Sequence, residues 1–157
     1  MREIRINAPG AGEWIMERLG GIFTAKLDHS FSTHDGDRIL GGFVVTWFLG
    51  GSLTVHMASQ DPHWCTRELL WMIFHFAFEQ LGVYKMITPI ASDNASVASM
   101  DMRAGWNLEA VIKDAYKPGV HMLILTMTKV DCPWLDYKPK QWKPGDQLLI
   151  THPAGSA

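Results

Sequence analysis

Residues His56, His63, Cys65, Asn94, Ser96, Ser99 and Asp101 all fall within one stretch, Ser52–Trp106. Histidine is the residue type suited to accepting a proton at neutral pH. Cys65 stands at the start of a helix, where a thiol pKa can be lowered, although packing is its preferred role. The stretch runs through a β-branched strand, a polar loop, a long apolar helix, a second strand, an Asn-opened helix and a Gly-aromatic stop. Junctions from loop to helix after strands are where open α/β sheets bind anions, because helix N-termini present unpaired N–H groups. Anion binding and proton transfer are therefore the chemistries this stretch is equipped for.

Other chemistries find little support. Cys65 and Cys132 are distant in sequence and belong to no ligand motif, so neither a disulfide framework nor a zinc site follows. The seven histidines form no HExxH pair, and no nucleophile triad is visible. A formal charge of −2 leaves no basic footprint for nucleic acid, with only a modest cluster at Lys138, Lys140 and Lys143. MREIRINAPG lacks the apolar run of a signal peptide, and no stretch is long enough to span a bilayer. A soluble, reducing, cytoplasmic setting is expected, with no membrane or nucleic-acid partner.

The elements that must position these residues can be read from periodicity. At 157 residues, 47% of them hydrophobic and 19% charged, the chain suits one domain with a substantial core. Arg2–Asn7 alternates as a half-buried edge strand. Glu13–Leu19 is a short helix whose following loop, by position alone, is expected to wall a pocket. Ile22–Thr33 holds one strand, and His34–Asp37 turns the chain through an Asp-Gly pair into strands at Ile39–Phe48 and Ser52–Ala58. Thr66–Leu81 is expected as one continuous helix stopped by Gly82. A strand at Lys85–Ala91 follows, then a helix capped by Asp93-Asn94 and closed by Gly105, then strands at Leu108–Ala115 and Val120–Lys129. Beyond Val130 come four prolines, with Trp134, Tyr137, Trp142 and Leu148–Ile150 as anchors. We read residues 1–130 as the domain and 131–157 as an ordered extension packed on it.

Three segments carry a family resemblance. HFAFEQLGVYKM (75–86) resembles a "YAF-E-LG-hR" helix-to-strand passage, and SDNASVASMDMRAGW (92–106) resembles "DN-aS-r---k-GF". NLEAVIKDAY and GVHMLILTMTK (107–116 and 119–129) resemble the "-EG-lRda" segment and the last strand pair that follow. Together these are similar to the GNAT superfamily of N-acetyltransferases, nearest its ribosomal-protein (RimL/RimJ-like) branch, over roughly Gly41–Lys129. The resemblance implies an α/β (α+β) fold: a mixed, mostly antiparallel sheet, flanked by helices and split between its fourth and fifth strands. It implies acetyl-CoA as acyl donor, no metal, and a primary amine acceptor (a protein N-terminus or a small molecule) attacking the thioester directly. A homodimer is compatible with it.

Carried over residue by residue, the resemblance puts the backbone of Met57, Ala58 and Ser59 against the pantetheine arm. The amides of Trp64, Cys65, Thr66 and Arg67 would hold the pyrophosphate, and Asn94 would bond the cofactor arm. The family's phosphate loop is glycine-rich, whereas Asp61-Pro62-His63-Trp64-Cys65-Thr66 has no glycine, and Pro62 removes an N–H donor. Asp61 and Glu68 add negative charge there, offset in part by Arg67 and the Thr66 hydroxyl. Where many members place an acidic Tyr seven residues after the Asn, this chain has Asp101, an acid only if burial raises its pKa. Ser96 and Ser99 lie near a slot that the ribosomal-protein branch fills with Ser. His56 and His63 are the candidate bases. The alternative to an enzyme is a GNAT-fold interaction module without activity.

Overall fold

The computed structural model describes residues 1–140, the Phe48 side chain excepted. Trp142, Pro144, Leu148–Ile150 and Pro153, read above as part of the extension, lie outside the described residues. Seven strands form one sheet: β1 (Arg2–Ile6), β2 (Asp28–Asp35), β3 (Arg38–Leu49), β4 (Ser52–Ser59), β5 (Lys85–Ala91), β6 (Asn107–Lys117) and β7 (Val120–Thr128). Their spatial order is β1-β2-β3-β4-β5-β7-β6. Helices α1 (Ala11–Arg18), α2 (Arg67–His75) and α3 (Ala95–Arg103) flank the sheet. This is the mixed, mostly antiparallel and helix-flanked architecture expected from the sequence.

The two central strands decide where a site can form. Among the described residues β4 and β5 are the one parallel pair, in register at Ser52–Lys85, Leu53–Met86 and Thr54–Ile87. Beyond these three pairs the strands part. Pro89, two residues past the last pair, lacks the N–H that a continuing ladder would draw on. β5 instead stays paired along its whole length with β7. The sheet is thus split on one side of β5 and closed on the other.

Alternation along the strands gives each face its own core. Leu53 and Val55 of β4 join Phe31, Phe74, Met86, Leu125 and Met127 on the α2 side, while Ile15, Met16 and Val44 pack with Ala58 on the α1 side. Two adjacent glycines in β3 let both layers approach closely. A Cβ on Gly41 would stand 2.7 Å from the Trp64 ring, and one on Gly42 would stand 2.6 Å from the Phe31 carbonyl oxygen and 2.9 Å from Ile15.

The long helix departs from expectation. α2 ends at His75, and Phe76–Gln80 continues with π-helical geometry, Leu81 N–H bonding the Phe76 carbonyl at 3.0 Å. The wider turn accommodates three consecutive buried residues, Phe76, Ala77 and Phe78, at 3%, 0% and 4% exposure. At the other end Thr66 caps α2, its hydroxyl oxygen accepting from Leu69 N–H at 3.1 Å. Thr66→Ala should therefore lower stability by about 1 kcal/mol, read as a shifted midpoint in urea denaturation. An unchanged midpoint would show that the cap contributes nothing. After β7, Cys132 is buried, and Trp134 Nε1–H donates to the Ala104 carbonyl at 2.8 Å.

Candidate functional site

Where β4 and β5 part, two connected cavities open. The first, about 390 Å³, is lined by His56, Thr88, Pro89 and Tyr116; the second, about 610 Å³, by Ala58, Ser59, Trp64, Arg18 and Arg103. Leu19, Met57, Asn94 and Val97 line both. A cleft thus runs across the split, with Met57 of β4 on one wall and Asn94 at the start of α3 on the other.

Asn94 is the N-cap residue of α3, its carbonyl accepting from Ala98 N–H at 3.2 Å, but its side chain does not take part in the cap. Its side chain makes no hydrogen bond to the end of α3, and its backbone φ of −95° and ψ of 59° lie outside the extended geometry typical of a cap. Its amide is exposed and turned to the cleft instead. The rest of α3 sorts by helical periodicity. Ser96, Met100 and Arg103 face the larger cavity, whereas Ala98 and Asp101 are buried against the domain. Ser99 is exposed and lines neither cleft cavity.

Asp101 therefore points away from the cleft. It lines a third cavity of about 220 Å³ behind the wall formed by Met57, Trp64 and Met100. Burial pushes its carboxyl from 3.8 up to about 7. Cys65 lines the same cavity, where burial, with the Asp101 charge, pushes its thiol up to about 12, as suits the packing role preferred for it over an acidified thiol. Partial burial beside a carboxyl outweighs the helix N-terminus at this thiol.

His56 is half-buried in the cleft. Burial holds its pKa below the ordinary 6.5, with the Asp28 charge acting in the opposite direction. The imidazole is accordingly neutral at pH 7 and available as a proton acceptor. His63 is different: its ring is largely exposed, 3.5 Å from Asp61, and lines neither cleft cavity.

Part of the loop before α2 is satisfied by its own chain. Gln60 N–H bonds the Leu40 carbonyl, Trp64 N–H the Asp61 carbonyl, and His63 N–H the Asp61 carboxylate at 2.8 Å. That bond and Arg38 hold the Asp61 carboxyl below the usual range. Trp64 plugs the loop into the domain, its carbonyl accepting from the Thr33 hydroxyl at 2.8 Å. Arg67 lies over the Tyr137 ring at 5.0 Å. Of the groups expected to hold a pyrophosphate, the Trp64 amide and the Thr66 hydroxyl oxygen are thus engaged within the protein. The cations at the cleft come from elsewhere. Arg18, stacked 3.4 Å over Trp14, ends α1, and Arg103 lies in the last turn of α3.

Tyr116 carries no signal of its own in the sequence: it lines the cleft from β6, away from the α3 positions that the family resemblance points to. Burial, then the Asp93 charge, raises its pKa above 10, so it keeps its proton at neutral pH. Arg103 was present in the 92–106 segment but stood there only as a motif position. Arg18 had no local signal beyond its place at the end of a helix next to a turn.

No protein-family model matches the chain, and no curated protein is significantly similar to it. Solved structures are. The spermidine/spermine N-acetyltransferase SpeG from Vibrio cholerae superimposes with a TM-score of 0.66 at 11% identity, covering 88% of this chain and all of that one. A protein assigned to the GNAT family of acetyltransferases from Desulfovibrio desulfuricans gives 0.64 at 17% identity over 82% of this chain and 99% of its own. This chain has the GNAT acetyltransferase fold. A Staphylococcus epidermidis protein assigned as an acetyltransferase matches equally, at 0.64 and 15% identity over 82% and 99% of the two chains. Among the described residues of this GNAT-fold chain, no helix is long and apolar enough to cross a membrane.

Proposed function

We propose that the protein is an acetyl-CoA-dependent N-acyltransferase acting on a primary amine. The observation that carries this reading is the split between β4 and β5, with a cleft lined on one wall by the unpaired end of β4 and on the other by an uncommitted Asn94. The residues there fit such a donor. The Met57–Ser59 backbone lies past the last β4–β5 pair, where it can bond an extended arm, and Arg18 and Arg103 supply positive charge for phosphates. The motifs of residues 92–106 favour the ribosomal-protein branch, and the acceptor class remains a protein N-terminus or a small amine.

In the reaction the thioester supplies the acetyl group, the amine forms the new C–N bond, and the C–S bond breaks. The amine must be neutral to attack, so it loses a proton, for which His56 is the acceptor. The departing sulfur takes up a proton, for which the Tyr116 phenol is the donor facing the same cavity. Asp101 and Ser99, considered for this step from the sequence, do not line that cavity.

Isothermal titration with the full chain checks the reading. Acetyl-CoA and CoA should bind, and Asn94→Ala should weaken binding by about tenfold through loss of a hydrogen bond worth ~1.4 kcal/mol. Absence of binding by folded protein would sink the proposal. It would favour the second reading, an inactive interaction module, for which the engaged His63 and Trp64 amides and the Asp61 charge of the loop are the supporting observation.

A further inference from the structure

The cavity behind the cleft wall is not used by acetyl transfer. It holds about 220 Å³ between β3–β4 and the α2–α3 layer, and aromatic rings line it together with aliphatic and thioether side chains: Phe43, Trp64, Phe74, Trp106 and Trp134. One carboxyl enters this apolar box. Asp101 is 3% exposed, and its Oδ2 has no hydrogen-bond partner. The residues facing it from β3, β4, α2 and the segments after α3 are uncharged, and the other titratable group is the Cys65 thiol, which stays neutral.

Such a lining selects its occupant. A water molecule is held by two to four polar partners, and this cavity offers a carboxyl and a thiol. Aromatic faces carry negative potential and attract cations. An orphan carboxyl oxygen calls for an N–H or O–H donor, and a cationic donor contributes more than a neutral one. The remaining volume favours hydrocarbon. We propose that this cavity binds a small primary alkylammonium, its ammonium group donating to Asp101 and its alkyl chain lying among the rings. A quaternary ammonium would satisfy the rings but not the oxygen. Entry is from the cleft side, where Met57 and Met100 form part of the shared wall; Met100 is 39% exposed, and thioether chains move readily. The proposal stands on the cavity itself and does not require acetyl transfer.

Titrating n-butylammonium and n-butanol into the full chain, followed by the Trp106 and Trp134 indole N–H resonances, tests it. At about pH 8 butylammonium should bind roughly tenfold or more tighter than butanol and shift both resonances, because a charge-assisted bond outweighs a neutral one. Asp101→Asn should remove that preference. Should the variant fail to fold, the wild-type pH profile decides. Affinity should fall by roughly tenfold between about pH 8 and about pH 6, as Asp101 takes up its proton while the amine stays charged. Equal affinity for the alcohol, binding unchanged in Asp101→Asn, or no pH dependence would each overturn the assignment, the second by placing the amine in the cleft.

Discussion

Replacing Asp101 by asparagine should make the protein more stable at about pH 8 while leaving it little changed near pH 4. The carboxyl sits at 3% exposure with an unpartnered oxygen, and burial raises its pKa from 3.8 to about 7. The folded state therefore holds the proton more tightly than the unfolded chain does. As pH rises from about 4, the unfolded chain releases that proton first, and the folded state loses stability until its own carboxyl ionises near 7. At 1.36 kcal/mol per unit, the shift corresponds to roughly 4 kcal/mol lost across that window. Asparagine does not titrate, so the gap between variant and wild type should open over the same window. Asp61 and Glu109, whose carboxyls are held low by hydrogen bonds and neighbouring cations, contribute in the opposite direction but equally in both proteins. Urea denaturation at a series of pH values reads the difference. Parallel stability curves would mean that Asp101 is not shielded from water as its surroundings indicate.

Tyr116→Phe should lower kcat for acetyl transfer by about 10²–10⁴, the usual range for a general acid or base, with acetyl-CoA affinity held. His56→Ala should have a loss of similar size. The pH profile separates the two. Activity should rise with pH through a midpoint below 6.5, where the buried His56 gives up its proton, and fall above 10, where Tyr116 ionises. His56→Ala should abolish the acid limb and Tyr116→Phe the alkaline limb. If Tyr116→Phe retained kcat within about twofold and kept both limbs, proton donation by that phenol, a 10²–10⁴ effect, would be excluded.

Much of the scaffold was legible in the residues. β5 occupies Lys85–Ala91 as its flanking signals indicated, and β4 extends one residue beyond the expected Ala58. Such strands declare themselves because one face is buried and the other is not, so the pattern repeats every second residue. The single helix expected over Thr66–Leu81 was less legible. Phe76-Ala77-Phe78 is apolar on all sides, which an α-helix and a π-helical turn satisfy equally, and only the surrounding core selects the wider turn.

The site divides along similar lines. Sequence by itself determined that a β4–loop–α2–β5–α3 block exists, that Asn94 opens α3, that His56 lies on β4, and that the loop before α2 carries no glycine. These properties are local: each depends on a residue type or on spacing along one element. Tertiary structure decided which side chains share a space. It left the Asn94 side chain to the cleft rather than to the cap, placed Cys65 and Asp101 behind Met57, and brought Tyr116, Arg18 and Arg103 to the split from three separate elements. The physical reason is that pKa and pairing depend on burial and on charges contributed by residues far apart in the chain. The same carboxyl, an ordinary acid at 3.8 in an extended chain, is pushed up to about 7 when it is buried among apolar side chains.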